Sequence, residues 1–174
     1  YANTAGFRNT ALGTSALTTN TTGSENNAVG YNALFYNTTG TANIAIGYSA
    51  LTFNQSATSS VAIGRAAAQG TALYSNQGGT YLGYQSGYSA QTGSNYNTLL
   101  GYNAGFGITT GARNVLLGHS TIAASYNQVT TGSNNIAIGN DVAVPSATAS
   151  NQLTIGNIIY GTGLSGTGAT VSTG

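Results

Sequence analysis

The amino-acid sequence predicts an all-β protein, a parallel β-solenoid of about nine coils of 17–21 residues. Three observations carry this. The phrase "NNAVGYNAL" at residues 26–34 returns as "NIAIGYSAL" at residues 43–51, each residue 17 places on. A glycine that follows an aliphatic residue recurs at Gly13, Gly30, Gly47, Gly64, Gly83, Gly101, Gly118, Gly139 and Gly156, in steps of 17, 17, 17, 19, 18, 17, 21 and 17. Regular recurrence at such a period is the signature of stacked repeats. Lastly, 40% of the 174 residues are hydrophobic and they are placed in step with the glycines, so the low charge does not read as disorder.

Each part of a repeat has its own reason. The residue before each glycine is Leu12, Val29, Ile46, Ile63, Leu82, Leu100, Leu117, Ile138 or Ile155, and these nine aliphatics are the expected core positions. The run that they close is short and rich in β-branched residues, which predicts a strand of about five or six residues. Both faces of that strand are often apolar, as in "NIAIG" (43–47) and "NVLLG" (114–118), the pattern of a strand covered on both sides. The glycine then supplies the positive φ of a sharp corner. A second short strand is expected in "YNAL", "YSAL" and "RAAA", followed by turns such as "NTTG" at 20–23 and 37–40. Equivalent residues of stacked coils form ladders, here of asparagine (Asn9, Asn26, Asn43; Asn97, Asn114, Asn135) and of tyrosine (Tyr31, Tyr48). Arg8 and Glu25 fall in one column, which makes them a candidate ladder salt bridge. The solenoid is expected over 1–160, and the Gly/Ser/Thr-rich stretch 161–174 reads as a departing linker.

Composition excludes several functions. Only 3% of residues are charged and the net charge is +1, which gives no electrostatic footprint for nucleic acid. No apolar run approaches the ~20 residues of a membrane helix, so no membrane insertion by this segment is expected. The chain has no cysteine, hence no disulfide framework and no thiolate metal site. Absence of cysteine and lysine suits a protease-resistant rod outside the cell. The chain opens with Tyr1 and without a basic-then-apolar leader, which reads as a fragment or processed product.

Catalytic candidates are few. His119 is the only histidine and sits in a variable column with Tyr31, Tyr48, Arg65, Tyr84 and Tyr102, so it reads as a surface position. Glu25 and Asp141, the two carboxylates, fall about seven coils apart, too far for a glycosidase pair. No catalytic residue, cofactor or metal is expected, and the chain reads as non-enzymatic. Asn20, Asn37 and Asn54 match glycosylation acceptors, but their spacing is simply the repeat.

Seventeen residues per coil leave a thin, flattened roll. With apolar residues on both strand faces, one face is expected inside the roll and the other against neighbouring chains. The residues here meet a family. "SSVAIGRAAA" (59–68) resembles the repeat of trimeric autotransporter adhesin heads, and "NIAIGYSAL" and "NVLLGHSTI" resemble a variant in phage tail fibres and bacterial surface proteins. "NQLTIGNIIYGTGLSGTG" (151–168) is similar to the segment before the intramolecular chaperone of such fibres. The base step of 17 is longer than that of the adhesin heads. The resemblance implies a left-handed β-roll, a homotrimer and an extracellular structural or adhesive role as shaft or head of a fibre. Its partners would be its own copies and, as candidates, a cell-surface glycan or host receptor. The alternative is a monomeric ice-binding solenoid, but the threonines come as adjacent pairs in turns and not as a flat Thr-x-Thr array.

Overall fold

The computed structural model describes residues 3–120, 129–156 and 159–161. Among these it is all-β, a parallel β-solenoid of nine strands with eight full turns between the first and the last. The strands are β1 (Thr10–Leu12), β2 (Asn27–Val29), β3 (Ile44–Ile46), β4 (Val61–Ile63), β5 (Thr80–Leu82), β6 (Thr98–Leu100), β7 (Val115–Leu117), β8 (Ile136–Ile138) and β9 (Leu153–Ile155). Each pairs in parallel with the next, and the register follows the glycine steps: Ala28 opposes Ala45, and Ala45 opposes Ala62. A tenth strand, β10 (Ile159–Gly161), folds back antiparallel on β9, with Ile159 opposite Ile155. The expected linker from residue 162 onward lies outside the described residues, as does 121–128 within the longest coil.

The strands have three residues each, shorter than the five or six expected, because a left-handed residue brackets each one. After the strand stands the corner glycine, with φ between +128° and +136° in the first eight coils. Two residues before the strand stands Arg8, Glu25, Ala42, Ser59, Gly78, Tyr96, Arg113, Asn134 or Asn151, with φ between +55° and +61° in every case. The chain therefore turns at both ends of a three-residue run.

The expected second strand is a stack of turns. Alternate residues after the corner are left-handed, such as Asn32 (φ 55°) and Leu34 (φ 51°), and Ser49 (φ 57°) and Leu51 (φ 51°). That alternation sends backbone bonds in both directions along the stack. Asn32 N–H donates back to Thr14 O at 3.1 Å, while Leu34 N–H donates forward to Ala50 O at 3.0 Å. A leucine in this conformation is strained by about 1 kcal/mol or more, and the paired coils on either side hold it there.

Burial reverses the expected faces. In a three-residue strand the middle side chain points one way and its neighbours the other. The middle residue points in: Ala28, Ala45, Ala62, Tyr81, Leu99, Leu116, Ala137 and Thr154 are buried. The nine aliphatics expected in the core point out, and Leu12, Ile46, Leu82, Ile138 and Ile155 are exposed while Val29, Ile63, Leu100 and Leu117 are half-buried. The interior is thin enough that each coil holds few large residues. In the second and third coils the strand alanines Ala28 and Ala45 share the buried interior with Leu34 and Leu51 of the turn wall, while Ala11 of the first coil is exposed. In the fifth and sixth coils Tyr81 and Leu99 come from the strand, and the turn wall carries Gly87 and Gly105. A Cβ on Gly87 would lie 2.5 Å from Tyr81 Cδ1, and one on Gly105 would lie 2.7 Å from Leu99 Cδ1.

Buried asparagine ladders edge this interior. Asn26 Oδ1 accepts from Asn43 N–H at 3.1 Å and from Asn43 Nδ2 at 2.9 Å, and Asn43 Nδ2 also donates to Ala57 O at 2.8 Å. Asn97, Asn114, Asn135 and Gln152 repeat the scheme, with Gln152 N–H donating to Asn135 Oδ1 at 2.8 Å. Such a ladder satisfies groups that burial would otherwise leave unpaired. Between the two runs the column holds Ser60, whose N–H donates to Asn43 Oδ1 at 3.0 Å, and Gly79, where a side chain would strike the Tyr81 ring.

Tyr81 and Tyr74 are buried phenols. Asn76 Nδ2 donates to Tyr81 Oη at 2.9 Å, and Tyr74 Oη donates to Ala68 O. Burial raises the pKa of both above the ordinary tyrosine value, most strongly through loss of hydration. The folded state thus holds these protons more tightly than the unfolded chain. Stability is expected to be flat below about pH 10 with respect to these groups and to fall above it, where the unfolded phenols ionise first. Urea unfolding across that range should show the decline, and Tyr81→Phe should make it shallower. An unchanged alkaline slope in that variant would contradict the assignment.

Candidate interaction surface

The outward strand positions form one surface. Three and one residues before each corner, side chains such as Ile44 and Ile46, Val61 and Ile63, Val115 and Leu117, and Ile136 and Ile138 face away from the roll. Ile46 is 39% exposed, Leu82 45% and Ile138 36%, which is high for aliphatic side chains on a regular sheet. Because the register never slips, the residues line up into a continuous apolar face along the stack. Among the described residues no strand of β1–β9 presents threonine at both outward positions, as an ice-binding face would. The paired threonines of the turns are used internally instead: Thr21 Oγ1 donates to Thr38 O at 2.9 Å and Thr38 Oγ1 to Gln55 O at 3.1 Å.

Across the glycine corner runs a second feature. Where the residue after the corner is aromatic in consecutive coils, the rings stack along the column. Tyr31 and Tyr48 lie 5.0 Å apart between ring centroids and 19° from parallel. Tyr84 and Tyr102 stack at 4.8 Å and 13°, and the His119 ring sits 5.2 Å from Tyr102. Arg65 fills the gap between the two tyrosine pairs. Its guanidinium carbon lies 5.3 Å from the Tyr48 ring and 5.6 Å from the Tyr84 ring, and Nη1 donates to Tyr84 Oη at 3.2 Å. Cation–π attraction on both sides holds the side chain in line. The column was visible in the sequence as Tyr31, Tyr48, Arg65, Tyr84, Tyr102 and His119; the clamping of Arg65 was missed, and the signal was its place between aromatic residues in consecutive coils.

The remaining candidates fall as follows. Arg8 Nη1 lies 3.0 Å from Glu25 Oε1, the two in adjacent coils, with side chains 74% and 50% exposed. Water screens such a pair, so it reports on register more than on stability. Asp141 is six coils from Glu25, and its N–H donates to His119 O at 2.8 Å. Among the described residues no group of three His, Asp or Glu side chains could hold a metal ion. Asn20, Asn37 and Asn54 are buried and used internally: Asn37 Nδ2 donates to Asn20 Oδ1 at 2.8 Å, and Asn54 Nδ2 donates to Asn76 Oδ1. No helix among the described residues is long and apolar enough to cross a membrane. No protein-family model, curated protein or solved structure matches the chain.

Proposed function

We propose that the chain is a non-enzymatic structural and adhesive module, shaft or head, of a homotrimeric extracellular fibre such as a phage tail fibre or a bacterial surface appendage. The observation that carries this is the aliphatic outer face of β1–β9. An isolated exposed leucine needs no explanation, but a contiguous apolar stripe along a whole stack marks a contact surface. Charge is nearly absent, so identical chains can approach without repulsion. Three as the number of copies, and a left-handed coil, follow from the resemblance of the repeats at 43–51 and 59–68 to adhesin heads and fibres.

Sedimentation equilibrium tests the assembly. The expected particle has three times the 17.3 kDa chain mass. A stable folded monomer at micromolar concentration would overturn the reading. Ile46→Lys combined with Ile63→Lys places two charges on the outer face without entering the interior. These changes should separate the chains while the circular dichroism of the roll persists. A double variant that remains trimeric would show that another face makes the contact.

A further inference from the structure

We propose that Arg65, held between Tyr48 and Tyr84, is the carboxylate-binding centre of a site for an extended acidic polysaccharide that lies along the tyrosine row. The site goes beyond the fibre reading and does not rest on it, since the row stands across the corner from the apolar face and would bind on a single roll or on an assembly.

Charge accounting points first to Arg65. The chain has three arginines and two carboxylates. Glu25 pairs with Arg8, and Asp141 lies four coils from Arg65. Among the described residues no carboxylate pairs with Arg65, and its one side-chain hydrogen bond is to Tyr84 Oη. Arg65 is exposed, and its guanidinium carbon is held between the rings of Tyr48 and Tyr84. A guanidinium is planar and carries five N–H donors, of which Tyr84 takes one, so a held guanidinium can meet a carboxylate in two parallel bonds. Fixing it beforehand also removes much of the entropy that a free arginine loses on binding.

The flanking row selects the kind of chain that carries the carboxylate. Tyr48 and Tyr84 at the centre of the row have both faces covered, by Tyr31 and Tyr102 on one side and by Arg65 on the other, and Tyr102 lies between Tyr84 and His119. Nucleic-acid bases need free ring faces to stack on, so the row is a poor platform for them. An extended peptide places same-side residues about 6.8 Å apart, out of step with rings 4.8–5.0 Å apart. Phenol hydroxyls one coil apart can each donate and accept, which suits a ligand bearing hydroxyls along its whole length. A polysaccharide with uronic-acid carboxylates meets both demands.

Polygalacturonate is the probe, with dextran, polyglutamate and single-stranded DNA beside it, each titrated calorimetrically into the intact protein at low salt. Polygalacturonate should bind, dextran should bind at least tenfold more weakly, and added sodium chloride should weaken the polygalacturonate arm. Arg65→Gln should reduce polygalacturonate binding at least tenfold with an unchanged melting temperature. Arg65→Lys should recover only part of it, since an ammonium lacks the planar fork. Absence of polygalacturonate binding, equal binding by Arg65→Gln, or polyglutamate or DNA binding as tightly as polygalacturonate would overturn the proposal.

Discussion

Gly64→Ala is expected to unfold the centre of the stack, at a cost of about 3 kcal/mol or more. Gly64 has φ +136°, a conformation that side-chain-bearing residues avoid. Space is the larger problem. A Cβ there would stand 2.6 Å from the Gly83 carbonyl carbon and 3.2 Å from Tyr84 N, and closer still to Gly83 O. All of these are backbone atoms of the next coil, so no rotamer change relieves the contact. Relief requires the coils to part, which breaks the bond from Gly83 N–H to Ile63 O at 2.8 Å. In a stack each coil leans only on its neighbours, so a parted pair leaves two shorter rolls with raw ends. Gly93→Ala is the control: its Cβ would meet only Thr110 O, at 3.9 Å, and should cost about 1 kcal/mol of backbone strain. Thermal melting of the two variants should differ widely. Equal midpoints would show that the corner tolerates a side chain.

These glycines are also why so much of the fold could be read in advance. A residue type that only one conformation and one packing distance can accept marks the repeat directly, and the pairing of Thr10 with Asn27 through Ile136 with Leu153 follows its spacing. The Arg8–Glu25 contact follows from the same count. Parity was harder. With apolar side chains at both Ala45 and Ile46, hydrophobicity does not say which points in, and a shift of one residue exchanges the faces. Size says it: the inward column is alanine wherever the turn wall brings a leucine, and is large where the wall brings glycine. The turn wall itself left no readable trace. Leu17, Leu34 and Leu51 at φ 51° contradict local preference, and only the neighbouring coils make that conformation pay its way. The interaction surfaces were half legible. The columns of Ile46 and of Arg65 could be counted out, but their exposure and the clamp on Arg65 depend on side-chain directions that spacing does not fix.

Exchanging the large residue of the third coil from one wall to the other is expected to restore much of what each single change loses. Leu51 is fully buried on the turn wall and faces the strand residue Ala45, also fully buried. Leu51→Gly removes the side chain that fills the interior there and should cost about 3–5 kcal/mol, from lost burial and the cavity left behind. Ala45→Leu adds three carbons to a filled space and should cost about 1–3 kcal/mol. The double variant has the arrangement of the sixth coil, where Leu99 fills from the strand and Gly105 makes room from the turn. Glycine accepts the left-handed conformation of Leu51 without strain, as Gly105 does at φ 60°. The next coil offers space on one side, because Ala62 and Ala68 are both small. Double-mutant analysis of urea midpoints should therefore give a favourable coupling of at least about 1 kcal/mol, with the pair more stable than Leu51→Gly alone. Additive losses would show that the two walls do not share one interior volume, and that the pairing of alanine with leucine along the chain has another cause.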